Sequence, residues 1–500
     1  MTHGGTMPHN ASFSSGHDDP LSRWSARVPY LVVGYMVALA TLRLSLSPFL
    51  EVDEAQFVGH VDFRLVYENS HPPLYNWLLR LLLEASGWNW AFSTATLKYA
   101  LLGGFHLLTW DAARRLGGPR AGLLAVAASA FLPQIVWMSA HTLAHSIMVM
   151  AGVAAVVHAS VLIVTARSEA GLIWRYVWLG AALALGALAK YNFLLFAAPF
   201  LACLLWAPSL RPLFLRREAG LSALIFVVLT APTAIAAALN LGASAERLDK
   251  LYKSGSGGSA FDLPYLGVDG LISALVAALA WAGPAVFAWG LALYLDRRSG
   301  EPAAPSPQAF LVALGRAIAI ALILLALIVL AADMHRVHER YLTPLLAALP
   351  VWLAAARPLS RSGPIVAVVS VLAYLGALAG VWGMVAYGKH RYAVDYDLVA
   401  VEARRITPDP IPIQARRHDD AANLILALGW TGAQEPNFAE VEDRVLLVWR
   451  GRGEARLDEL AEEGFRPAGR RATIVAPFKN RSGRTIAYSL QLLVRSPSGS

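Results

Sequence analysis

Asp53-Glu54-Ala55-Gln56-Phe57 and, a short polar run later, His71-Pro72-Pro73-Leu74-Tyr75-Asn76-Trp77 bracket the stretch whose reading decides the fold. An apolar run at residues 29–47 precedes it and is long enough to cross a bilayer as a helix. Two adjacent carboxylates therefore stand where a spanning helix leaves the membrane. Adjacent residues on a helix point about 100° apart, so Asp53 and Glu54 are expected to do different jobs. Pro72-Pro73 blocks a helix before it and favours one starting after it, which predicts an interfacial helix over 73–86.

The rest of the chain shares this character. Of its 500 residues, 56% are hydrophobic and 15% charged, against roughly a quarter charged in soluble domains. Repeated apolar runs predict about eleven spanning helices. They fall near residues 29–47, 93–113, 122–137, 142–164, 176–189, 193–206, 219–239, 268–293, 317–331, 342–356 and 365–387. The net charge of +8 fits Arg-rich cytoplasmic loops beside an anionic leaflet. No nucleic-acid-binding module is present. The single cysteine, Cys203, lies in an apolar run, which excludes an intrachain disulfide and a cysteine-based metal site. Residues 1–28 read as a disordered cytoplasmic N-terminus without the features of a cleaved signal, so the first apolar helix is expected to be a retained anchor.

Arginine pairs at Arg114-Arg115, Arg216-Arg217 and Arg297-Arg298, with Arg23 and Arg27 before the first span, place those loops and the N-terminus in the cytoplasm. An odd number of spans then puts residues 389–500 outside. This tail is charged and soluble in character. It predicts strands at 445–449, 472–476 and 485–494 and a helix at 455–463, a small soluble α+β domain after a membrane domain at 29–388. The Ser/Gly run 254–259 lacks phosphate-loop spacing and reads as a mobile outer loop.

With this orientation the polar outliers collect on the outer side: Asp53, Glu54, His71, Lys190, His335, Arg336, His338, Glu339 and Arg340. Ionisable groups at membrane depth are costly and are functional candidates by default. A carboxylate beside cations suits one kind of reaction. The carboxylate takes a proton from an attacking hydroxyl, and the cations hold a phosphate leaving group. His141 and His145, spaced i, i+4 without an acidic neighbour in sequence, read as polar packing, and His106 and His158 as interhelical hydrogen-bonders. Two other classes fit a many-helix chain. A transporter or flippase of lipid-linked glycans would be expected to show internal repeats and charges at the bilayer midplane, whereas here the charges gather at one face. A non-catalytic scaffold presenting the tail would not need the Asp53 and Lys190 clusters.

Asp53-Glu54-Ala55, His71-Pro72-Pro73-Leu74-Tyr75-x-Trp77, Leu188-Ala189-Lys190-Tyr191-Asn192 and Arg340-Tyr341-Leu342-x-Pro344 together resemble glycosyltransferase family 39. That family is related to the protein O-mannosyltransferases and the lipid A aminoarabinose transferase. The resemblance spans about residues 30–390. It implies an all-α, polytopic GT-C fold in the bacterial cytoplasmic (inner) membrane with a periplasmic active site. It also implies a polyprenyl-phosphate-linked sugar donor and inversion at the anomeric carbon, with a glycan, lipid or protein as acceptor. Asp53 matches the family's catalytic aspartate and Glu54 the second acidic residue. His71, Lys190, His335, Arg336, His338, Arg340 and Tyr341 fall among its donor and lipid-phosphate contacts. Departures are informative. Gln56 stands where the aminoarabinose transferases have Arg, and Ser70-His71 where they have Glu-Lys. Their metal-binding Glu is thus missing, so no metal ligand set is carried over, and a divalent metal is neither assigned nor excluded.

Overall fold

The computed structural model describes residues 20–58, 61–67, 72–240, 268–299, 308–388, 393–430, 443–451 and 464–496. The expectations for His71, the run 254–259, the helix 455–463 and residues 1–19 lie outside these. The helices are α1 (Pro20–Ser25), α2 (Val28–Leu46), α3 (Val52–Ala55), α4 (Leu74–Ala85), α5 (Trp90–Ser129), α6 (Ser139–His141), α7 (His145–Val164), α8 (Leu172–Ala189), α9 (Leu194–Trp206), α10 (Arg211–Phe214), α11 (Ala219–Leu239), α12 (Val268–Arg298), α13 (Ala309–Ala331), α14 (Glu339–Leu346), α15 (Leu349–Ala356) and α16 (Gly363–Tyr387).

Among the described residues seven helices are long and apolar enough to cross a membrane: α2, α7, α8, α11, α12, α13 and α16. An eighth crossing arises if α5 and the segment Gln134–His141, bent by 75° from it, count as one. This supports a multi-pass protein, but not the full expected count of eleven. The reasons are local. Helix α9 has 13 residues, about 20 Å, short of the roughly 30 Å hydrocarbon core. Helices α14 and α15 have 8 residues each and are separated at Ala347-Ala348.

Helix α5 is itself two segments. Gly118 has φ 83°, a conformation that favours glycine, and Pro119 restarts the helix with its φ already set. A Cβ on Gly122 would stand 3.0 Å from the Trp110 carbonyl oxygen. In a continuous helix those positions would be about 18 Å apart along the axis, so the chain doubles back at Gly118.

Helix α7 is the centre of the bundle. It is apolar on all sides and almost wholly buried, the pattern of a helix enclosed by others, and packs between α5 and α8. Where it crosses α8, a Cβ on Gly152 would lie 2.7 Å from the Cα of Gly186. Two glycines here let the backbones touch, the usual way helices approach in lipid.

After α16 come α17 (Tyr396–Ile406), β1 (Ile413–Ala415), α18 (His418–Leu428), β2 (Arg444–Arg450), β3 (Phe465–Pro477) and β4 (Thr485–Arg495). The strands form one sheet in the order β1-β2-β4-β3, with β1–β2 parallel and the other pairs antiparallel. Leu446, Val448 and Leu490 are buried in the main core with residues of α17 and α18, while Val445, Leu447, Phe465 and Leu493 form a separate cluster. The alternation follows from the period of two along a strand. The β3–β4 turn is tied to the end of α16: Asn480 Nδ2 donates to the carbonyls of Val385 and Gly388, both at 2.9 Å, satisfying acceptors that a helix end leaves open.

Candidate active site

The site is built from the turn between α2 and α3. Helix α2 ends at Ser47-Pro48, where proline favours an extended preceding residue. Arg43, in the last turn of α2, reaches forward. It donates to the carbonyls of Ser47 at 2.7 Å and Phe49 at 2.6 Å, and to Glu54 Oε2 at 2.9 Å. Four-residue α3 begins with a reciprocal cap. The Glu51 carboxylate accepts from the Val52 N–H, and Glu54 Oε2 accepts from the Glu51 N–H at 3.1 Å.

The two carboxylates are thereby separated in role. Glu54 is fully buried and paired with Arg43 and, at 3.5 Å, with Lys98, both also buried. Burial opposes its ionisation, but Arg43 and Lys98 outweigh that and hold its pKa at about 2. Asp53 is 8% exposed, and its Oδ2 is buried without a hydrogen-bond partner. Burial pushes its pKa above the ordinary value, while Arg340, Lys190, Lys98 and the backbone N–H of Ala144 pull against that shift. Ala144 caps the start of α7, an end that favours negative charge.

The structure thus brings Asp53, Lys190 and Arg340 together. Lys190 is buried, and its Nζ donates to Ser146 Oγ at 3.2 Å. Asn192 Nδ2 donates to the Tyr341 carbonyl at 3.3 Å, joining the Lys190 turn to α14. Arg340 is exposed at the start of α14. His338 is half-buried, with its ring 5.8 Å from Tyr341. Burial, Arg340 and Arg336 lower its pKa. His335 and Arg336 are exposed on the preceding loop. His145 faces Gln56: its Nδ1 lies 3.2 Å from the Gln56 amide, which also donates to the Asp53 carbonyl at 2.8 Å. His158 bridges helices as expected, with its Nε2 3.0 Å from Asp111 Oδ2 and its Nδ1 accepting from Trp178 at 3.2 Å.

Arg43 and Lys98 are not among the candidate residues drawn from the sequence above. Their position inside apolar runs was the signal that each needed a buried partner. Among the described residues no three His, Cys, Asp or Glu side chains stand together as a metal-binding group. Asp53 instead feels the positive charges of Arg340, Lys190 and Lys98.

Fold and site define a class: an apolar helical bundle whose buried carboxylate and cations meet at one end. The profile of the family described as dolichyl-phosphate-mannose-protein mannosyltransferase matches residues 70–235. Lipopolysaccharide core galacturonosyltransferase RgtB of Rhizobium johnstonii is 27% identical over 459 residues, covering 86% of this chain and 89% of that protein. RgtA of the same organism, of the same description, is 26% identical over 469 residues, covering 88% and 89%. The crystal structure of ArnT from Cupriavidus metallidurans bound to undecaprenyl phosphate superposes with a TM-score of 0.57 at 15% identity, covering 94% of this chain and 98% of that one. That structure speaks to the fold alone. Taken together, profile, relatives and fold support the GT-C, GT39-like superfamily of membrane glycosyltransferases as the chain's class.

Proposed function

We propose that the protein transfers a sugar from a polyprenyl-phosphate carrier to an acceptor hydroxyl at the periplasmic face of the bacterial inner membrane, with inversion and with Asp53 as general base. The observation that carries this reading is the buried, unpartnered Oδ2 of Asp53 among the charges of Lys190 and Arg340. The names of the two Rhizobium relatives add a glycan of the lipopolysaccharide core as the first acceptor to test and a uronic acid as the first sugar.

In the proposed step Asp53 takes the proton of the acceptor hydroxyl as its oxygen bonds to the anomeric carbon. The bond from that carbon to the phosphate oxygen breaks on the opposite side. The electron pair leaves with the polyprenyl phosphate, whose charge Lys190 and Arg340 balance. Enclosure raises the basicity of Asp53 and so favours proton acceptance. Arg336, His335, His338 and Tyr341, with His71, are assigned to the donor's headgroup. Glu54, fully committed to Arg43 and Lys98, holds α3 in place and takes no proton from the acceptor. Residues 29–388 are assigned to the membrane domain and 389–500 to the periplasmic part.

The test is release of polyprenyl phosphate by purified protein from a panel of polyprenyl-phosphate sugars, with lipopolysaccharide core as acceptor. Asp53→Asn is expected to lower turnover by about 10²–10⁴. Turnover near that of the unaltered protein in Asp53→Asn would overturn the role.

A further inference from the structure

The segment just before Asp53 is held from two directions. From the membrane side Arg43 takes the Ser47 and Phe49 carbonyls. From the other side the chain's C-terminal elements take the rest. Asn423, in the middle of α18 and fully buried, pairs with both backbone groups of Leu50: its Oδ1 accepts from the Leu50 N–H at 2.7 Å, and its Nδ2 donates to the Leu50 carbonyl at 2.9 Å. His418 Nε2 donates to the Val52 carbonyl at 3.0 Å. Tyr396 packs edge-on against Phe49 at 5.1 Å between ring centres.

Helix α18 is in turn pinned to the sheet. Asp420 accepts two bonds from Arg450, at 2.7 and 2.6 Å, and one each from the hydroxyls of Tyr396 at 2.8 Å and Tyr488 at 2.9 Å. A four-residue helix has no stability of its own, since helix nucleation is unfavourable. Where Asp53 stands is therefore decided by what grips residues 47–52.

We propose that Asn423 is a positioning residue for catalysis: its amide, clamped on Leu50, sets the place of the Asp53 carboxylate, so that the C-terminal sheet is part of the catalytic apparatus. This rests on Asp53 being the base. It assigns the tail a task in the chemical step rather than in acceptor binding.

The experiment uses the full chain. Asn423→Ala leaves both Leu50 groups buried and unpaired. Because a misplacement near 1 Å can cost about 10²-fold, kcat is expected to fall about 10–100-fold with KM for donor and acceptor little changed. Two further readouts separate positioning from loss of stability. The acid limb of the kcat–pH profile moves to lower pH as Asp53 loses its enclosure, and amide hydrogen exchange across residues 49–56 speeds up. Phe310→Ala, buried at the start of α13, the end opposite the His335–Arg340 loop and outside the C-terminal elements, supplies a destabilised control, matched by thermal unfolding, in which kcat and exchange at 49–56 stay as in the unaltered protein. His418→Ala, which removes a single bond, moves all three readouts the same way by a smaller amount and serves if Asn423→Ala fails to fold.

Equal kcat in the Asn423 variant and its control, or a change confined to acceptor KM, would overturn the proposal. Failure of the underlying reading looks different. Asp53→Asn would then remain active, whatever hydrogen exchange shows at 49–56.

Discussion

Glu54→Gln tests the division of labour between the two acidic residues. Glu54 is fully buried against Arg43 at 2.9 Å and Lys98 at 3.5 Å. Removing its charge leaves two buried cations with no carboxylate between them, and breaking a buried pair from one side costs about 3–5 kcal/mol. Depression of the Glu54 pKa from 4.5 to about 2 corresponds to about 3 kcal/mol. Since the folded-state pKa lies below the unfolded one, this contribution is fully present above about pH 4.5 and is lost as pH falls through about 2. Against a usual stability of about 5–15 kcal/mol, Glu54→Gln should unfold about 5–20 °C earlier or fail to accumulate. Removing the Lys98 charge as well, in Glu54→Gln with Lys98→Met, leaves only Arg43 stranded. It should recover part of the loss, because apolar replacements of buried ion pairs are often tolerated.

The assay is thermal unfolding in detergent across pH, paired with turnover on the same preparations. Stability of the unaltered protein should decline below about pH 4.5, and that part of the decline should be absent in Glu54→Gln. Read at a pH above the acid limb, turnover should return in the double variant in proportion to folded protein, since the Asp53 carboxylate is kept and Lys98 acts on it only by lowering its pKa. If Glu54→Gln is as stable as the unaltered protein, or if the double variant folds and stays inactive, then Glu54 does more than hold α3 and the reasoning fails.

Other outcomes follow from the same geometry. Arg340→Gln removes a cation that lowers the raised pKa of Asp53, so the acid limb of the kcat–pH profile should move to higher pH. In the same variant kcat/KM for the donor should fall about 10–100-fold, the worth of one charge-assisted hydrogen bond. Lys190→Met should move the limb in the same direction, and Lys190→Arg should keep it near its place; pH profiles of purified variants decide both. Gly270→Ala places a Cβ 1.8 Å from the Met334 carbonyl oxygen. It should cost about 1–3 kcal/mol by overpacking and raise donor KM by shifting the loop that carries His335 to Arg340, as read from thermal unfolding and kinetics.

How far the sequence announces this arrangement depends on the range of each interaction. The spans near 29–47, 142–164, 219–239 and 365–387 were legible because a long apolar run has few alternatives to a membrane helix. Short segments were not. Thirteen residues in α9 and eight in α14 read as apolar runs equally well whether they cross or only reach in. Asp53, Lys190 and Arg340 could be grouped because topology alone puts successive turns at one end of the bundle. The fate of Glu54 was hidden, although its partners Arg43 and Lys98 are only 11 and 44 residues away. Nothing in a string of residues says which of two neighbouring carboxylates pairs with Arg43 and Lys98 and which keeps an oxygen unpartnered.

Asn423 was the least legible of all. It sits 373 residues from the Leu50 backbone it grips, and a backbone partner leaves no trace in side-chain chemistry at position 50. Yet the physical logic leaves little freedom once the two are seen together. In the proposed step Asp53 is a base with one oxygen unpartnered, and such a carboxylate cannot be held by bonds to that oxygen. It must be held through the chain on either side of it, and Arg43, Asn423 and His418 all grip backbone carbonyls within residues 47–52. The place of the Asp53 carboxylate is thus fixed by polar groups that grip the backbone before it and not its free oxygen.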